Sequence, residues 1–225
     1  MKRVLLLLLF VIVFIGAEAQ NIQFHYDFTK ARRFETTTIE MFKPDQWGST
    51  FFFIDLDYNR NDVKGLSQAY WEISRSMKIG NSPFSVHGEF DSGFLQAKGT
   101  PVNAGFTIKP AWLGGLEYNW NSKDFTRGFG IQALYKHINH LDDASFQLTE
   151  TWYLHMLNKK LTFDGFADFW KEKTPYGSYV FLSEPQLWYN FTSHLSLGSE
   201  VEFSNNFGGL DGFHVYPTIA AKWTF

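Results

Sequence analysis

Cysteine is missing altogether from the 225 residues. That absence excludes a disulfide framework, a lipoprotein anchored through cysteine and any thiolate-ligated metal centre. It also suits a chain that crosses an oxidising compartment unfolded, where stray thiols are a hazard. Basic charge is scarce as well. Lys and Arg number 20 against 23 Asp and Glu, a formal charge of −3, which excludes the basic stripe that nucleic-acid binding requires. Beyond residue 19, no run approaches the roughly 18 consecutive apolar residues of a membrane-spanning helix.

The one long apolar run stands at the N-terminus. Lys2 and Arg3 precede Val4 to Ile15, and Gly16 leads into Ala17-Glu18-Ala19. A short positive region, an apolar stretch and a small-x-small site predict a cleaved signal peptide over 1–19. The apolar run falls short of the roughly 20 residues needed to anchor in a bilayer. Cleavage after Ala19 makes Gln20 the first mature residue. Losing Lys2, Arg3 and Glu18 moves the charge from −3 to −4. The remainder, 20–225, is the size of one domain.

Aromatic residues are abundant: 25 Phe, 10 Tyr and 8 Trp make up 19% of the chain, yet mean hydropathy is −0.22. Rings facing lipid and polar groups facing a wet interior give both properties together. Without spanning helices, a membrane protein must close its backbone hydrogen bonds as a barrel.

Alternation supports that reading. Ile22, Phe24, Tyr26 and Phe28 interleave with Gln23, His25, Asp27 and Thr29, and adjacent side chains of a strand point to opposite faces. Such segments recur to the end of the chain, where Phe213, Val215, Ile219, Trp223 and Phe225 interleave with His214, Tyr216, Thr218, Lys222 and Thr224. The count predicts an all-β, transmembrane antiparallel up-and-down β-barrel of about 12 strands. Short periplasmic turns fall at Lys43–Trp47, Gly80–Pro83, Asn121–Asp124, Asn158–Lys160 and Thr192–His194; Ser92–Gly105 and Asn205–Gly212 become longer outer loops. Glu150 falls on the apolar parity and calls for a bulge or a rim location. Pro110, Pro185 and Pro217 fall inside strands, where each removes a ladder donor and calls for a bulge. Trp47, Tyr118, Trp120, Trp188, Tyr189 and Trp223 lie near strand ends, as interfacial girdles do. Terminal Phe225, with Trp223 two before it, resembles the C-terminal signal read by the outer-membrane assembly machinery.

The inward parity carries Asp27, Glu40, Asp55, Asp57, Glu72, Glu89, Asp91, Glu117, Asp164, Asp168, Glu184, Glu200 and Glu202 against Lys109, Lys136 and Lys222. An acid-lined passage repels anions and admits neutral polar solutes or cations. Phe51 and Phe53 share the polar parity with Asp55 and Asp57, so two rings face the lumen. Aromatic faces beside hydrogen-bonding groups suit planar polar ligands. The candidate solute-binding set is therefore Phe51, Phe53, Asp55, Asp57, Glu40, Tyr70 and Glu72.

The stretch Phe34–Tyr58 also resembles the early strands of the Tsx-like nucleoside-specific channel proteins. The matching positions are Thr36–Thr38, Glu40, Trp47-Gly48, Phe51–Phe53 and Asp55. The resemblance implies a channel for nucleosides. An enzyme is not expected: the seven histidines are scattered, no nucleophile–base cluster is apparent, and His137 and His140 are only a pair in an outer loop. No cofactor or metal is expected. The reading is a passive bacterial outer-membrane channel for small neutral polar solutes, nucleosides first. A sealed barrel acting structurally or as a lipid hydrolase is the alternative.

Overall fold

A computed structural model describes residues 20–99, 101–141 and 145–225. The signal segment expected over 1–19 lies outside the described residues. The strands are β1 Gln20–Asp27, β2 Glu35–Pro44, β3 Gly48–Tyr58, β4 Leu66–Lys78, β5 Phe84–Ala97, β6 Ala104–Asn121 and β7 Arg127–Ile138. They continue with β8 Ser145–Met156, β9 Leu161–Thr174, β10 Gly177–Ser183, β11 Gln186–Asn190, β12 Leu195–Asn205 and β13 Phe213–Thr224. Strands consecutive in the chain pair antiparallel except β10 and β11, and β13 returns to β1. Both β10 and β11 lie between β9 and β12. They are two halves of one wall position, so the barrel closes with 12. The only helical residues described are a 3-10 turn at Arg60–Asp62.

Period-2 alternation sorts the two faces. On β1, Phe24 is 57% exposed on the outside while Gln23 is 1% exposed within. Ile73, Val86, Trp112, Leu116, Ile131, Leu148 and Ile219 continue the outer apolar band, which matches hydrocarbon. Connections at the terminal end are short: 45–47, 79–83, 122–126, 157–160 and 191–194. The first is held by Asp45, which accepts Trp47 and Gly48 N–H and a two-pronged contact from Arg75. The Arg75 hydrogen bonds, seconded by the Trp47 amide, hold the Asp45 carboxyl well below the usual range.

The three prolines are handled differently. Pro110 sits in a bulge, because Asp91 faces Ala111 while Gly93 faces Ile108. Pro185 falls in the break between β10 and β11, and its carbonyl accepts Val201 N–H. Pro217 needs no bulge, contrary to expectation. Val201, its partner on β12, turns its N–H away to Pro185, so Pro217 points its own missing donor at β1. There β1 has already ended, with Asp27 opposite Thr218.

Three further expectations are corrected. Ser92–Gly105 is not a long loop, because β5 runs to Ala97 and β6 starts at Ala104. A Cβ at Gly93 would stand 2.5 Å from the Ala69 carbonyl oxygen, so that glycine marks close strand approach. Glu150 lies neither in a bulge nor at a rim. Its pairings to Ile131 and Ala167 are in register along the whole of β8, and it is exposed on the outer face. Trp188 is no girdle residue, since it faces inward with no exposed surface.

Candidate functional site

Inside the barrel, towards the end opposite the termini, lies a cavity of about 480 Å³. Ten carboxylates line it against four cationic side chains, so its field is acidic. Two of those cations come from loops that fold inward. Arg32 grips Glu202 through both terminal nitrogens at 2.5 and 2.8 Å and lies 3.5 Å from the Tyr216 ring centroid. Arg60 donates to Asp57 at 2.9 Å and to Gln68 at 3.0 Å, and stands over Phe34. Lys136 lies over Trp170 and donates to Gln147 at 2.6 Å. Each of these three cations is spread against a ring face as well as a polar partner, so that among the described lining residues Lys109 is the cation without such a partner.

The sequence-derived set divides in two. Phe53, Asp55, Asp57, Tyr70 and Glu72 all line the cavity; Phe51 and Glu40 do not. Phe51 continues the same wall, its ring centroid 6.1 Å from Phe53, which stands 6.0 Å from Tyr70. The three rings form a track along β3 and β4. Hydroxyls orient the flanking acids: Thr36 donates to Asp57 at 2.7 Å, Thr38 to Asp55, and Tyr70 to Glu72 at 2.8 Å. Glu40 lies towards the terminal end, where Asn21 donates to it at 2.9 Å.

A polar belt lies on that side. The Trp188 indole packs over Gly198, meets the His25 ring edge-on at 6.0 Å, and carries Lys222 Nζ 4.1 Å above its face. Lys222 reaches Asp164 at 3.9 Å, and Gln23 links His25 to Asn21 through contacts of 2.9 Å on both sides.

Alternation did not reveal Arg32 and Arg60, because loops carry no period. Phe166 and Trp170 were not named either, although both share the inward parity of Asp168. The apolar cluster Ala111, Leu113, Leu134 and Ile138 is also inside. It was missed because apolar residues were assigned to lipid. A hydroxyl–imidazole–carboxylate line also occurs: His87 Nδ1 lies 3.0 Å from Ser76 Oγ and its Nε2 lies 3.0 Å from Glu89. Neither Ser76 nor His87 lines this cavity.

Residues 19–225 match the family described as "Domain of unknown function (DUF5020)". No curated protein matches the sequence. Among solved structures, a KdgM porin is similar at TM-score 0.55 and 12% identity, over 91% of this chain and 99% of that one. A NanC porin is similar at TM-score 0.59 and 12% identity, over 92% of this chain and 100% of that one. A KdgM porin in complex with disordered oligogalacturonate is similar at 0.54 and 12% identity, over 91% of this chain and 99% of that one. At this identity the likeness concerns the barrel fold. The Tsx-like resemblance rests on the sequence stretch alone.

Proposed function

The chain belongs to the DUF5020 family and is a barrel of the bacterial outer membrane; from that premise we propose that it is a passive channel for small neutral or cationic polar solutes, nucleosides first. The observation that carries the reading is the ring pair Phe53–Tyr70 beside Asp55 and Glu72 in an acid-lined cavity, with Phe51 continuing the track along the wall. A nucleobase stacks on a ring face, a contact worth about 1–3 kcal/mol per base. Its amino groups and the ribose hydroxyls donate to carboxylates. Anionic solutes find the opposite. The oligogalacturonate bound by the KdgM porin is an acidic sugar chain, and an excess of carboxylates repels such a ligand.

Planar-bilayer conductance of the refolded chain, with adenosine added stepwise, tests this. Saturable block is expected, weakened about tenfold in Phe53→Ala, which corresponds to about 1.4 kcal/mol of lost stacking. Openings indifferent to adenosine in the parent protein would discard nucleosides and keep the channel. A barrel that conducts nothing is the second reading, favoured by the belt around Trp188. Absence of any opening in the parent and in Trp188→Ala would support it.

A further inference from the structure

We propose that Glu72, Glu89 and Asp91 form a binding site for a hard divalent cation, calcium in the first instance, in the lumen wall. Glu72 and Asp91 are directly opposed across β4 and β5. Glu89 stands two residues before Asp91 and therefore on the same face. One carboxylate oxygen from each of the three lies within 4.8 Å of the others. Like charges placed directly opposite destabilise a sheet, so this arrangement calls for a counter-charge.

Among the described residues, the recorded ion pairs place the His87 imidazole at Glu89 and no basic group at Glu72 or Asp91, while neighbours hold the acids in place. Tyr70 donates to one oxygen of Glu72 at 2.8 Å, and His87 Nε2 lies 3.0 Å from one oxygen of Glu89. Asp91 is 4% exposed, and its buried Oδ1 has no hydrogen-bond partner. A buried acceptor left unmatched calls for a partner, an ion or a water. Among the described residues, neither Glu72 nor Asp91 forms an ion pair with Lys or Arg. Lys136 is committed to Gln147 and the Trp170 face.

The donors decide the class of ion. All three are carboxylates, and the one imidazole nearby is engaged with Glu89 and with Ser76. Oxygen-only sites favour calcium or magnesium over zinc or copper. Three carboxylates suit calcium's larger and looser shell better than magnesium, which is held through one or two carboxylates and keeps its waters. Glu72 and Asp91 line the cavity, so ion and water have a route from the loop end.

Isothermal titration of the refolded, EDTA-stripped barrel with calcium chloride tests the site, with magnesium and zinc chloride as parallel titrations. One calcium per chain is expected, bound at least tenfold more weakly by Asp91→Asn and by Glu72→Gln. Asp164→Asn, an inward acid outside the cluster, should keep the parent affinity. Calcium should also raise the unfolding temperature of the parent and of Asp164→Asn but not of the two cluster variants. If Asp91→Asn does not fold, Glu72→Gln and the thermal shift of the parent still read the site. No saturable uptake at millimolar calcium overturns the proposal, as does equal affinity in the parent and both cluster variants. Zinc binding tighter than calcium would overturn the assignment to a hard ion. None of these outcomes depends on whether the barrel conducts.

Discussion

Trp188 and Gly198 work as one unit on neighbouring strands. Trp188 pairs with Gly198, Gly198 with Ala220, and Ala220 with His25, so two small residues separate the indole from the imidazole. A Cβ on Gly198 would stand 2.3 Å from the Leu187 carbonyl oxygen and 2.6 Å from the indole. Both the strand spacing and the ring position require glycine there. Gly198→Ala should destabilise the barrel by about 1–3 kcal/mol, the usual cost of overpacking. Urea unfolding in lipid vesicles reads the loss, and a red shift in tryptophan emission reads release of the buried indole. Unchanged unfolding and emission would remove the packing argument. The inward aim of Trp188 was not legible beforehand, because a tryptophan near a strand end also fits an interfacial girdle. The parity of Gln186, which accepts its indole N–H at 2.8 Å, was the available sign. By contrast, Phe51 and Phe53 were read correctly as inward, because two acids follow them at the same spacing.

At the scale of strands, alternation was legible wherever one face met lipid, since the period of 2 tolerates no slip. It lost meaning at β6. There the Pro110 bulge sends Ile108 to the cavity, and Ala111 and Leu113 face inward against Leu134 and Ile138 of β7. Polarity cannot announce an apolar patch inside a wet barrel. β8 carries the reverse exception, for Glu150 keeps the outward parity amid Leu148 and Trp152. A carboxylate on the lipid face is penalised according to its depth, though less than Lys or Arg. Glu150→Leu should therefore stabilise the barrel by about 1–2 kcal/mol in vesicles. The measurement is the urea midpoint at unchanged slope. A lower midpoint would mean that Glu150 has a favourable partner on the outer surface.

For the molecule as a whole, the question is which charges pass. Closure of the sheet forces every inward side chain of 12 wall positions into one narrow lumen, so the cavity's ten carboxylates act together on any ion inside. Its four cations are paired with acids, a side-chain amide or ring faces, or stand apart as Lys109 does. Neutral sites of the same width would discriminate little between potassium and chloride. An acid-rich lumen holds cations at raised concentration and expels chloride. Under a tenfold potassium chloride gradient in the range of 0.1 M, the zero-current potential should therefore take the sign of a cation-selective pore. At about 1 M salt the screening length falls to roughly 3 Å, so most of the preference should vanish. Selectivity that survives high salt would point to direct ion coordination rather than to the summed field. A pore that prefers chloride at low salt would contradict the acidic lumen outright, and would require Arg32 and Arg60 to leave Glu202 and Asp57 and dominate the passage.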